Sequence, residues 1–231
     1  MPTHSKRYSE AQKLVDKTKL YTVDEAVALA KKTATTKFKS SVEVHVRLGI
    51  DPKKSDQVVR ATLVFPHSIG KSKKIAAFVN ADKVKEAEEA GAEIAGGEEL
   101  INEISQKGTI NFDVAVATPD MMPKLAKLAK ILGPKGLMPN PKTDTVGPNV
   151  KKMVEDLKKG KVAFKNDQAG IIHQAIGKTD LSEAEIKENL TVLIDALKKA
   201  KPASSKGAYL RGVTLTTTMG PGIPVDPAQF A

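Results

Sequence analysis

Between Val42 and Ile50 the chain reads VEVHVRLGI, with Val42, Val44, Val46, Leu48 and Ile50 apolar and polar residues between them. Strict period two puts the apolar set on one face of a strand and Glu43, His45 and Arg47 on the other. A sheet built on this strand is therefore wet on one side and must be covered on the other. The cover is at hand in TVDEAVALAKKTA, which Thr22 and Glu25 open as a capping box. A second strand is expected in VVRATLVF, ending at Pro66.

Past Pro66 the texture changes. KIAAFVN (74–80) and FDVAVAT (112–118) are short, wholly apolar runs that alternate with the helical stretches ADKVKEAEEAG, EELINEISQKG, PDMMPKLAKLAKIL and VGPNVKKMVEDLKKG. Apolar strands between helices point to an open α/β sheet buried on both faces. From Lys161 the first texture returns. KVAFKND and GIIHQAIGK read as strands joined by a tight turn at Gln168–Gly170. A capping box from Ser182 to Glu185 starts a long helix to Lys199, and GAYLRGVTLTTT is the closing strand before a Gly/Pro-rich tail. The expectation is an α/β protein of two domains. Residues 1–67 plus 160–231 form a discontinuous α+β sandwich, into which residues 68–159 are inserted as a three-layer Rossmann-like unit. Crossings near Phe65–Gly70 and Lys158–Lys161 would act as a hinge.

Charge narrows the partner. The chain has 231 residues and a net charge of +10, which favours a polyanion. Residues 1–67 carry +6, residues 68–120 carry −4, residues 121–160 carry +6 and residues 161–231 carry +2. Only some surfaces are thus suited to an anion. There is no cysteine, which removes disulfide and thiolate chemistry and fits a cytoplasmic setting. No apolar run reaches membrane-spanning length, and the N-terminus lacks the apolar core of a secretory signal.

Catalytic and cofactor chemistry finds little footing. GLMPNPKT (136–143) fits the phosphate-loop pattern at Gly136, Lys142 and Thr143 but places Pro141 at the second glycine. Proline has no N–H to offer a phosphate and fixes φ, and the stretch follows a helix where the genuine motif follows a strand. A rigid connection pinned by Leu137 and Met138 is the plainer reading, with Lys135 and Lys142 free to meet an external phosphate backbone. His4, His45, His67 and His173 show no metal-ligand spacing. No catalytic residues, metal or cofactor are expected. The alternative kept open is a nucleotide-dependent enzyme using the inserted domain, and a third option is a non-specific basic coat on nucleic acid.

Two stretches suit RNA. In KFKSS, Phe38 between Lys37 and Lys39 could pack on a sugar or base while ammonium groups meet phosphate. The plainer alternative is that Phe38 staples a helix to the sheet. Glu43 follows on the same strand, as an acceptor for a 2′-hydroxyl or as an ordinary solvated carboxylate. In TTTMGP, Thr216 and Thr218 present hydroxyls, Met219 a polarizable surface, and Gly220 room for close backbone approach. An edge strand ending in a Gly-Pro turn would look the same.

Together ILGPKGLMPNPKTDTVG, KFKSSVEVHVRLGID, KNDQAGIIHQAIGK and YLRGVTLTTTMGPG resemble the bacterial large-subunit ribosomal protein L-one family, in its order and over nearly the whole chain. The resemblance implies a cytoplasmic protein of the ribosome, monomeric when free. It would bind large-subunit rRNA to form the mobile stalk near the tRNA exit site and assist release of deacylated tRNA. It would also repress translation by binding its own operon mRNA. The implied RNA-binding residues are Lys37, Phe38, Glu43, Asn166, Asp167, Thr216, Thr218, Met219 and Gly220. Lys135 and Lys142 would make secondary contacts with RNA or exit-site tRNA. The tail after Pro221 looks least constrained.

Overall fold

The computed structural model describes residues 5–70, 73–158 and 160–230. In chain order the elements are α1 (Lys6–Lys13), α2 (Val23–Thr33), β1 (Ser41–Leu48), β2 (Arg60–Val64), β3 (Ile75–Phe78), α3 (Val84–Ala90), β4 (Ile94–Gly96), α4 (Glu98–Lys107), β5 (Val114–Ala117), α5 (Met122–Leu125), α6 (Ala129–Leu132), α7 (Val150–Lys158), β6 (Lys161–Lys165), β7 (Ile171–Lys178), α8 (Glu183–Lys199), β8 (Leu210–Thr217) and β9 (Ile223–Val225). The mix of helices and several sheets is α/β in class. The chain divides into two compact units, one of residues 1–70 with 163–231 and one of residues 71–162.

In the first unit a four-stranded sheet runs β7-β1-β8-β9, with antiparallel pairing throughout. The alternation of β1 does what period two requires: Val42, Val44, Val46 and Leu48 are buried, and Glu43, His45 and Arg47 lie on the opposite face. Helices α2 and α8 cover the apolar side, packing on β8 and β9 and on β7 respectively. Both capping boxes are formed, Thr22 with Glu25 and Ser182 with Glu185. Strands β2 and β6 make a separate two-stranded ribbon.

Two departures from the sequence reading occur here. Helix α1, capped by Ser5, lies in a stretch with no strong apolar periodicity. The tail is not loose: β9 pairs with β8, Tyr21 bridges to Val225, and Ile223, Val225 and Phe230 are buried. Its prolines are tolerated because β9 is an edge strand, where a missing N–H costs no ladder bond.

The second unit holds a parallel sheet in the order β4-β3-β5. Strands β3 and β5 are buried on both faces, and the edge strand β4 is half-buried. Ala76, Phe78, Ala115 and Ala117 pack with α4, α5 and α6, while Ile75, Ala77 and Val116 pack with α3 and α7. The stretch 119–132, read from sequence as one helix, instead alternates 3-10 and α turns. Met121, Leu125, Leu128 and Leu132 keep the buried side through these changes of pitch.

Candidate nucleic-acid interface

The face of the four-stranded sheet away from α2 and α8 carries polar groups in register. Glu43 lies between Ala175 and Thr216, His45 between His173 and Thr214, and Arg47 between Ile171 and Gly212. At the end of the sheet where β1 begins, six of the predicted residues lie around the strand that carries Glu43.

The loop before β1 is braced from within. Thr36 Oγ1 donates to the Phe38 carbonyl at 3.1 Å and lies 2.6 Å from Ser40 Oγ. Lys39 is paired with Asp180 at 2.6 Å, whose carboxylate raises the lysine pKa. Lys37 is exposed, and Phe38 has 54% of its surface in solvent. Phe38 therefore does not staple the helix to the sheet, and about half of its surface is open to solvent.

Across from it, β8 runs into Thr218–Gly220. Ser41 N–H donates to Thr218 Oγ1 at 3.1 Å, and Thr218 N–H donates to the Ser41 carbonyl at 3.0 Å, so Thr218 closes the ladder onto β1. Thr216 Oγ1 lies within 3.3–3.4 Å of the carbonyls of Thr217, Gly220 and Pro221. Thr217 points to the core, and its hydroxyl is buried without a partner. Met219 takes φ +66°, a left-handed conformation rare for a side chain of its size, and is 64% exposed. Arg7 of α1 holds this strained turn, donating from Nη2 to the Met219 carbonyl at 3.1 Å and from Nη1 to Thr35 Oγ1 at 3.3 Å. A Cβ on Gly220 would sit 2.3 Å from Thr217 Oγ1, so only glycine fits there without displacement. Lys37, Phe38, Thr216, Thr218, Met219 and Gly220 thus form one cluster with Glu43 two residues into β1.

Asn166 and Asp167 lie elsewhere. Arg47, near the far end of β1, pairs with Ile171 and lies six residues on from Ser41, roughly 20 Å at about 3.3 Å each. Asn166 is buried. Its Oδ1 accepts from Val59 N–H at 2.8 Å and its Nδ2 donates to the Asp167 carbonyl at 2.9 Å, so its side chain is spent inside the protein. Asp167 Oδ1 accepts from the N–H groups of Ala169 (2.9 Å) and Ile171 (2.7 Å), which folds the turn. The Ile171 bond is the largest cause holding its carboxyl below the usual range. Its Oδ2 lies 3.4 Å from His173 Nε2.

Between the two ends stand His45 and His173, their Nδ1 atoms 2.8 Å apart and their rings edge to face. Sequence reasoning treated them as separate strand histidines, because cross-strand register is not written in either strand alone. Arg7 and Ser41 were missed for the same reason. Burial, then the charge of His173, push the His45 pKa below its usual value, while Glu43 opposes the shift.

In the second unit the GLMPNPKT loop turns its polar groups inward. The Asn140 carbonyl accepts from Thr143 N–H at 3.1 Å, Thr143 Oγ1 at 3.0 Å and Thr145 Oγ1 at 3.2 Å, and Thr145 Oγ1 in turn accepts from Asn140 N–H. Leu137 and Met138 pack against the core. Amides committed in this way cannot cradle a phosphate. Lys135 is exposed; the side chain of Lys142 lies outside the described residues, as does His4. Among the described residues no three carboxylates or histidines are grouped to hold a metal, and no helix is long and apolar enough to cross a membrane.

Comparison with known proteins bears on both units. The profile of the ribosomal protein L1p/L10e family matches residues 30–221. A protein of Macrococcus caseolyticus (strain JCSC5402) named large ribosomal subunit protein uL1 is 52% identical over 229 residues, covering 99% of each chain.

Proposed function

We propose that this chain, which belongs to the ribosomal protein L1p/L10e family, is a constituent of the large ribosomal subunit in the cytoplasm and binds large-subunit rRNA through its first unit. The observation that carries the reading is the near full-length match to a large-subunit protein. The geometry supports a location for the contact. Beside an uncovered polar sheet face stand an exposed aromatic and an exposed methionine, held by braced loops with two lysines nearby.

In this reading Lys37 meets phosphate while Phe38 and Met219 pack on ribose or base. Thr216, Thr218 and Glu43 offer hydroxyl and carboxylate groups to 2′-hydroxyls, and Gly220, packed against Thr217, keeps the turn tight where Met219 meets the RNA. Asn166 contributes by building the turn that presents Asp167. Lys135 and Lys142 add phosphate contacts from the second unit. Recognition is by shape and close fit, with lysines giving a salt-dependent part of the affinity.

The finer role extends from the same resemblance. Residues 1–67 with 160–231 act as the RNA-anchored domain, and residues 68–159 as an inserted domain joined through two crossings. The protein forms the mobile stalk near the tRNA exit site, assists release of deacylated tRNA, and represses translation by binding its own operon mRNA. It is a monomer when free. A nucleotide-dependent enzyme on the second unit lacks support, since the candidate loop follows α6 and spends its amides internally.

The deciding measurement is binding of the full chain to a stalk fragment of large-subunit rRNA, with the operon mRNA leader and duplex DNA as competitors, across salt concentrations. The reading requires a steep fall of affinity with salt, competition by the mRNA leader, and weak competition by duplex DNA. Equal competition by duplex DNA would make the chain a non-specific basic coat, and saturable ATP binding without RNA binding would favour the enzyme.

A further inference from the structure

The His45–His173 pair sits on the open sheet face between the two groups of candidate RNA residues, and its hydrogen bonds dictate where its protons are. The Asp167 carboxylate can only accept, so the 3.4 Å contact assigns a hydrogen to His173 Nε2. In the neutral pair His173 Nδ1 is then an acceptor, and His45 Nδ1–H is the donor across the 2.8 Å gap. That leaves His45 Nε2 as a bare lone pair, a group that repels phosphate oxygen. One added proton turns it into an N–H donor carrying positive charge.

We propose that the His45–His173 pair is a proton-linked phosphodiester contact, taking up one proton when the RNA backbone settles on this face. The inference rests on the RNA-binding reading above. Among the described residues, the charged groups in register beside the pair are Glu43 and Arg47, which flank His45 on β1, and Asp167 beyond His173. β8 presents only Gly212, Thr214 and Thr216 opposite, and β7 adds the uncharged Ile171 and Ala175. In the free protein, partial burial and the neighbouring imidazole both disfavour a positive charge on His45. A phosphate over the pair supplies the missing anion and raises its proton affinity. The two titrations are coupled, so the proton belongs to the pair.

The sign follows from linkage. A pair with a higher proton affinity in the complex than in the free protein makes RNA affinity rise as pH falls, by up to about tenfold per pH unit for one proton. The rise stops once the free pair is itself protonated.

The test uses the full chain and the stalk fragment of large-subunit rRNA at constant ionic strength, from pH 7.5 to pH 5.5. Calorimetry in two buffers of different ionisation enthalpy counts protons. Wild type is expected to gain about tenfold in affinity over this range and to take up about one proton near neutral pH. His45→Gln and His173→Gln are expected to flatten the profile and abolish the uptake. A structural role alone would lower affinity equally at every pH. If wild type binds the rRNA with no pH dependence, or the glutamine variants keep its slope, the proposal falls and the RNA-binding reading stands. If wild type binds no rRNA at any pH, both fall.

Discussion

The two sheets of this molecule differ in what they leave bare. The antiparallel sheet β7-β1-β8-β9 has helices on one face and shows the other to solvent, with Glu43, His45, Arg47, Thr214 and Thr216 along it. The parallel sheet β4-β3-β5 is covered on both faces, and alternate residues of β3 and β5 enter two separate apolar cores. A strand of the first kind can present side chains to a macromolecule along its length. A strand of the second kind can do so only through the loops beyond its ends. The difference leaves the first unit an open sheet face and the second only loops and helix surfaces, which is why the proposed recognition is located on the first.

The largest perturbation should separate the two. Phe78 is fully buried in the second unit and stacks edge to face on Phe112. Phe78→Ala should cost about 3–5 kcal/mol of that unit's stability, while rRNA affinity at 25 °C stays within a few-fold of wild type. Urea unfolding monitored with RNA titration checks both. A loss of RNA affinity as large as the loss of stability would show that the buried sheet matters directly for recognition.

Within the first unit the comparison moves to the two ends of β1. Thr218→Val removes the oxygen that accepts from Ser41 N–H and should weaken rRNA binding by on the order of 1–3 kcal/mol. Unchanged affinity in a calorimetric titration would remove Thr218 from the interface. At the other end, Asn166→Ala leaves the buried Val59 N–H without its acceptor and should cost about 1–3 kcal/mol of folding stability. Its effect on RNA should be smaller than that of Thr218→Val. The reverse ranking would make the KND turn the principal contact.

Much of this contrast was legible in the sequence, and the reasons are local. Period two in β1, the two capping boxes and the apolar runs of β3 and β5 each act over a few residues, so they survive reading without a partner strand. Phe38 and Met219 were singled out by type, but their exposure depends on how the loop before β1 and the turn after β8 are braced. What stayed hidden is register. The meeting of His45 with His173, the seat of Ser41 against Thr218 and the reach of Arg7 to Met219 span 128, 177 and 212 residues. The tail was misjudged because glycine and proline were weighed without knowing that an edge strand awaited it.

Met219 offers a smaller test with opposite signs. Its left-handed backbone costs about 1 kcal/mol for a residue with a side chain. Met219→Gly should therefore stabilise the protein slightly while weakening rRNA binding, through loss of the exposed thioether surface. A variant that loses both would mean that the side chain props the turn. One that loses neither would remove Met219 from the contact.

The smallest effect concerns the Asp167 turn, and its sign can be worked out in advance. The carboxyl is held below its ordinary value, chiefly by the Ile171 N–H and also by that of Ala169. Its contribution is therefore complete above the unfolded carboxylate range, near pH 4, and is lost as pH falls through the lower folded value. Amide exchange at Ala169 and Ile171 should show protection at neutral pH that fades only in acid, while amides at the Thr218 end keep theirs. Asp167→Asn retains an oxygen that can accept but carries no charge, so it should keep part of the protection and lose its acid dependence. If the Ala169 and Ile171 amides of wild type are equally protected on both sides of that window, the carboxylate does not hold the turn. Asp167 would then be free to face RNA directly, and the far end of β1 would become a second recognition site instead of a support.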